Sequence, residues 1–201
     1  MQLTDNEKAE LCGMRFAFLN ADANRAIEEF AQGITDLLAS SDPKHAHRAI
    51  SGIEQVKSLF QQMHNFYHTL GMIAAKAFLE EELPDLPWEN IEFAGHANNR
   101  GSDLCLTKYG IVAELKTTEP CGKSKNRAVP VSFGSEQRQK IRGDLTKLSD
   151  PKYSSFRKYM FVTSPHAYHC LIGDYRSKFP DITFVLLRDI PDVSRPIRSQ
   201  C

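Results

Sequence analysis

The chain has 201 residues, 41% of them hydrophobic, with 25 Lys+Arg balanced by 25 Asp+Glu. That length is enough to bury a full core in one domain, or in one domain with an elaboration. No apolar run approaches the roughly 18 residues of a membrane span, and the polar residues 1–8 lack the hydrophobic stretch of a signal peptide, so a cytoplasmic protein without a membrane partner is expected.

In chain order, Glu7 to Leu19, Asn24 to Leu38 and Ala46 to Gln62 each carry apolar residues at helical spacing. Ser40-Ser41-Asp42-Pro43 is the clearest break among them and places a helix start near Pro43. Residues 1–65 therefore form an expected helical region, which serves dimerisation, grips DNA or simply caps the rest. Residues 66–83 predict a mostly buried helix stopped by Pro84 and Pro87, and Trp88 to Ala94 predict a first strand. Residues 102–107 and 111–117 alternate in polarity around the turn Lys108-Tyr109-Gly110, as two strands of a hairpin do. Glu136 to Leu148 predict a charged helix, and Lys158 to Thr163 a buried strand closed by Ser164-Pro165 as an N-cap and first-turn pair. A helix over 165–178 and a last buried strand over Ile182 to Leu187 complete the series. The expected fold class is α/β (α+β): a mixed β-sheet core over residues 66–201 flanked by helices, preceded by the helical region.

The hairpin carries the chemistry. Strand alternation puts Leu104 and Leu106 on one face with Ile111, Ala113 and Leu115, and puts Asp103 on the other with Glu114 and Lys116. Facing residues of an antiparallel pair have a constant index sum: Leu104 with Ala113, Leu106 with Ile111 and Asp103 with Glu114 all give 217. A bulge at Gly110 would slip this register by one residue and separate the two carboxylates. A phosphodiester repels hydroxide, so its hydrolysis calls for a cation that neutralises charge and generates a nucleophile from water. Mg²⁺ prefers oxygen ligands, commonly one or two carboxylates plus waters and phosphate, which suits Asp103 and Glu114. An ammonium on the same strand edge, Lys116, can polarise the water or stabilise developing negative charge. The competing reading is an exposed cross-strand ion pair, worth about 0.2–1 kcal/mol.

Gly101-Ser102-Asp103 followed by Glu114-Leu115-Lys116 resembles the signature of the PD-(D/E)xK nuclease superfamily, the fold of many type II restriction endonucleases; Ser102 stands where that signature has proline. The resemblance covers roughly the C-terminal 130 residues. It implies an α-β-β-β-α-β core and Mg²⁺-dependent cleavage of double-stranded DNA, with Mn²⁺ able to substitute. By it, Asp103 and Glu114 are metal ligands and Lys116 is the catalytic lysine. It also suggests an additional acid on the helix preceding the sheet, where Glu81 continues the face of Ala77 and Phe78.

Charge is unevenly distributed. Residues 1–94 hold 7 Lys+Arg against 15 Asp+Glu, and residues 95–201 hold 18 against 10, so the basic half is the motif half. Lys123, Lys125, Arg127, Arg138, Lys140, Arg142 and Lys147 face only Glu136 and Asp144 between positions 123 and 147, a cluster suited to phosphates. Asn126 and Arg127, with Ser124, carry groups able to read base edges. Gln137 and Gln139 are further candidates for DNA or metal-bound water. His64 and His68 are four apart without the Glu of an H-E-x-x-H site, and no phosphate loop or nucleophile elbow is present, so neither zinc nor a nucleotide cofactor is expected. Five scattered cysteines read as reduced thiols. These features predict a Mg²⁺-dependent restriction endonuclease acting as a homodimer. The alternatives are a repair or junction-resolving nuclease, or a catalytically idle DNA-binding or protein-interaction module.

Overall fold

The computed structural model describes residues 3–19, 23–40, 42–91, 93, 102–121 and 132–187. They form α1 (Asp5–Leu19), α2 (Ala23–Ser40), α3 (Pro43–Glu82), β1 (Leu104–Leu106), β2 (Ile111–Lys116), α4 (Ser135–Leu148), β3 (Arg157–Val162), α5 (Pro165–Tyr175) and β4 (Ile182–Leu186). The fold is mixed α and β. Two compact units divide between His68 and Thr69.

The first unit is helical. Thr4 and Glu7 start α1 with a reciprocal capping box: Thr4 N–H donates to Glu7 Oε2 at 2.8 Å and Glu7 N–H donates to Thr4 Oγ1 at 3.2 Å. Helices α2 and α3 approach at small residues. A Cβ added to Gly52 would lie 2.5 Å from Phe30 N, and one on Gly33 would lie 2.6 Å from Ala49 N, so side chains larger than glycine would force the helices apart. Ile27, Ile34, Leu38, Ile50, Phe60, Met63 and Tyr67 remain exposed on this unit.

Two helices expected over 46–62 and 66–83 are a single one, α3. Residues 62–66 contain neither proline nor glycine, so nothing in the backbone chemistry interrupts it. A second correction concerns the start of the strand expected over Trp88 to Ala94, of which residues 92 and 94 lie outside the described residues: Trp88–Asn90 is a turn of 3-10 helix. Its three-residue period carries the chain from buried Trp88 to buried Ile91 and leaves Glu89 and Asn90 exposed. The Trp88 indole N–H donates to the Leu83 carbonyl oxygen at 2.7 Å and anchors the turn to the end of α3.

The second unit is built on a four-stranded sheet in the order β1-β2-β3-β4. β1 and β2 are antiparallel, pairing Leu104 with Ala113 and Leu106 with Ile111 in the expected register. Gly110 makes this possible without a slip: it takes the left-handed conformation, φ 62° and ψ 41°, after the turn at Thr107–Tyr109. β2, β3 and β4 run parallel, with α4 and α5 as crossovers. Ser164 caps α5 as expected, its Oγ accepting from Ala167 N–H at 3.3 Å, with Pro165 in the first turn.

Alternation gives the sheet two faces. Ile111, Ala113 and Leu115 of β2 join Leu104, Tyr159 and Phe161 beneath Met72, Ala75 and Leu79 of α3. On the other face Val112, Met160, Val162 and Phe184 pack against Ile141, Leu145 and Leu148 of α4 and Ala167 and Leu171 of α5. Glu114 and Lys116 belong to the face of Val112, under α4. No helix among the described residues is long and apolar enough to cross a membrane.

Candidate active site

The carboxyl end of β2 meets the start of β1 because the two strands are antiparallel. This brings Asp103, one residue before β1, against the last turn of the β2 backbone. Asp103 Oδ2 accepts a hydrogen bond from Leu115 N–H at 2.8 Å. The bond fixes the carboxylate beside Glu114, close enough for the two charges to act on each other. Glu114 is only 2% exposed, and its Oε1 is buried without a hydrogen bond.

Sequence reasoning missed two residues of this cluster. Asp144 lies on the inward stripe of α4 with Ile141, Leu145 and Leu148, and its carboxylate forms an ion pair with the Lys116 ammonium. Lys147, one turn later, sets its Nζ 3.0 Å from Asp144 Oδ1 and 3.5 Å from Glu114 Oε1. The second distance is an ion pair without hydrogen-bond geometry, consistent with the unbonded Oε1. Three carboxylates and two ammonium groups thus gather where β2 meets α4. A usable signal existed: Asp144 is an acid inside an otherwise apolar i, i+3, i+4, i+7 stripe, a place where a buried acid needs a partner.

Electrostatics follow from this packing. Burial, reinforced by the carboxylates of Asp103 and Asp144 and opposed by Lys147 and Lys116, raises the pKa of Glu114 from its ordinary 4.5 to about 8. Burial also pulls the Lys147 ammonium down, but its bond to Asp144 and the charges of Glu114 and Asp144 outweigh that and hold it above its usual value.

Beside the cluster lies a cleft of about 280 Å³ lined by Lys116, Thr118, Glu136, Gln137, Lys140 and Ile141. Gln137 contributes to its wall but is spent on the chain itself. Its side-chain oxygen accepts from Gly134 N–H at 2.9 Å and Cys121 N–H at 3.2 Å, and its amide donates to the Glu119 carbonyl at 2.7 Å. It ties together the two ends of the segment between residues 121 and 134. Arg138, Lys140 and Arg142 are exposed on α4, with Lys140 Nζ 2.9 Å from Glu136 Oε1. Lys123, Lys125, Asn126 and Arg127 lie outside the described residues.

Glu81 is not brought to the cluster. It is exposed in the last turn of α3, and α3 covers the sheet face opposite Glu114. The further acid that packs beside Glu114 comes from α4, as Asp144.

Two hard carboxylates side by side, one with a buried unbonded oxygen, fit a divalent cation taken up with water and phosphate. No group of three His, Cys, Asp or Glu residues able to hold an ion by themselves occurs among the described residues. Compared with known proteins, the chain matches no family model, no curated protein and no solved structure.

Proposed function

We propose that this chain is a Mg²⁺-dependent endonuclease of the PD-(D/E)xK type, cutting double-stranded DNA at a specific site as a restriction enzyme does. The observation that carries the reading is the buried, unbonded Oε1 of Glu114 beside Asp103, on the same strand face as Lys116. Asp103 and Glu114 would hold the cation. Bound there, it would supply charge neutralisation and a nucleophile drawn from water. Asp103 is oriented by the Leu115 N–H, and Glu114 is kept from bulk water by α4. Lys116 stands between the carboxylates and the cleft, where its ammonium stabilises negative charge developing on a phosphate. Asp144 aims Lys116. Exposed Arg138 and Arg142, one helical turn apart, suit the flanking phosphates.

Cutting both strands of a palindrome needs two such sites, and the described residues offer one, which is the reason for proposing a homodimer. Exposed Phe60, Met63 and Tyr67, at the i, i+3, i+7 spacing of a helix seam, support that reading. A second reading, a catalytically idle DNA-binding or interaction module, is favoured by the self-sufficiency of the cluster, whose carboxylates already have ammonium and N–H partners. Incubating purified protein with phage or plasmid DNA, with and without Mg²⁺, separates them. Discrete Mg²⁺-dependent fragments are expected. A smear or structure-selective nicking would mean a repair nuclease, and intact DNA would mean the idle module.

A further inference from the structure

We propose that Lys147 is a resident counter-cation of this site, which a divalent ion must displace in order to bind. The inference rests on reading Asp103 and Glu114 as an ion site, and deepens it by naming what occupies the charge before an ion arrives. Lys147 Nζ lies 3.5 Å from Glu114 Oε1, the one buried Glu114 oxygen that accepts no hydrogen bond. The ammonium faces that oxygen at a distance beyond a good hydrogen bond, so it stands where a bound cation would have to come. Two cations cannot share one carboxylate oxygen without mutual repulsion, and one of them has to leave.

The two lysines of the cluster differ in their freedom to do so. Lys116 grows from the sheet and is 18% exposed, with Asp144 as its partner. Lys147 reaches in from the solvent side of α4 and is 46% exposed. A long flexible stem lets an ammonium swing to water without moving the helix, so Lys147 is the one that can go. Its place there has a physical reason: whenever Glu114 ionises, Asp103 and Asp144 repel its charge, and a retractable cation offsets that repulsion. Once displaced, it stands at the rim of the site as an additional positive charge for an anionic backbone. Ion binding and polyanion binding then favour each other, and by linkage the coupling is reciprocal.

The test is a calorimetric titration of Mn²⁺ into the full chain in four forms: unsubstituted, Lys147→Met, Lys147→Arg and Glu114→Gln. Lys147→Met removes the competitor from a half-exposed position, and the full chain should bind Mn²⁺ at least about fivefold more tightly with it. Lys147→Arg retains the charge and should bind no more tightly than the unsubstituted chain. Equal or weaker binding by Lys147→Met overturns the proposal while leaving the ion site standing. Absence of binding in every form, or binding that survives in Glu114→Gln, overturns the ion site at Glu114 and the proposal with it. A Lys147→Gln variant repeats the charge removal with a polar side chain, should Lys147→Met fold poorly.

Discussion

The two faces of β2 are neighbours in every residue and opposites in purpose. Ile111, Ala113 and Leu115 are sealed beneath α3 in a continuous apolar layer, whereas Val112 is followed on the other face by Glu114 and Lys116 under α4. The first face lowers the free energy of folding by removing apolar area from water. The second keeps buried charges at a cost, because desolvation of an ion pair can exceed its Coulombic gain. A fold that tolerates such a cluster concentrates it at one strand end, where a cleft opens beside it. Apolar packing and buried charge are thus divided between odd and even positions of a single strand.

That division can be broken from either side. The largest expected effect is on cleavage: Glu114→Ala and Lys116→Ala should each reduce the rate of plasmid cutting by at least about 10²-fold. Only Glu114→Ala should also weaken metal binding. Full activity in either variant would remove the assignment of that residue. Next comes the apolar face, where Leu79→Ala opens a cavity under α3 and should destabilise the protein by about 2–5 kcal/mol in chemical denaturation. Glu114→Leu, on the other face, should leave stability unchanged or improved, since an apolar group replaces an acid whose charged form burial disfavours. A loss as large as that of Leu79→Ala would show the cluster to be structural.

A smaller effect distinguishes the faces by pH. Glu114 has a folded pKa of about 8 against 4.5 when unperturbed, so the folded state retains a proton that the unfolded state releases. The contribution of Glu114 to stability without divalent ions should be complete below pH 4.5 and fall by a few kcal/mol as pH rises toward 8. Glu114→Gln should flatten that slope, which denaturation midpoints across the range would reveal; an unchanged slope assigns it to other groups. The smallest effect belongs to the exposed Glu136–Lys140 pair, where a double-mutant cycle should give a coupling of only about 0.3–0.5 kcal/mol.

Much of this was legible in the residues. The register of β1 and β2 followed from alternation, because one slipped residue would have turned Leu104 and Ala113 to the wrong face. Asp103, Glu114 and Lys116 were brought together for the same reason. Of the partners on α4, Asp144 left a signal in its apolar stripe, but its pairing with the strand did not. Asp144 and Lys147 sit among charges that a solvated helix also carries, and only the facing strand decides which of them turn inward. The placement of Glu81 away from Glu114 was not legible for a related reason, since helical spacing does not say which sheet face a helix will cover. The strand expected at Trp88 failed because Trp88 and Ile91 are three residues apart, a spacing that a 3-10 turn buries on one side and strand alternation places on opposite faces.

The central claim is that Asp103 and Glu114 together hold a divalent ion. A crystal of the full chain soaked in Mn²⁺ tests it most directly through anomalous scattering. A peak bridging the two carboxylates, with the Lys147 ammonium withdrawn from Glu114, is the predicted result. A crystal with Lys147 still against Glu114 and Mn²⁺ bound elsewhere, or not at all, would contradict it.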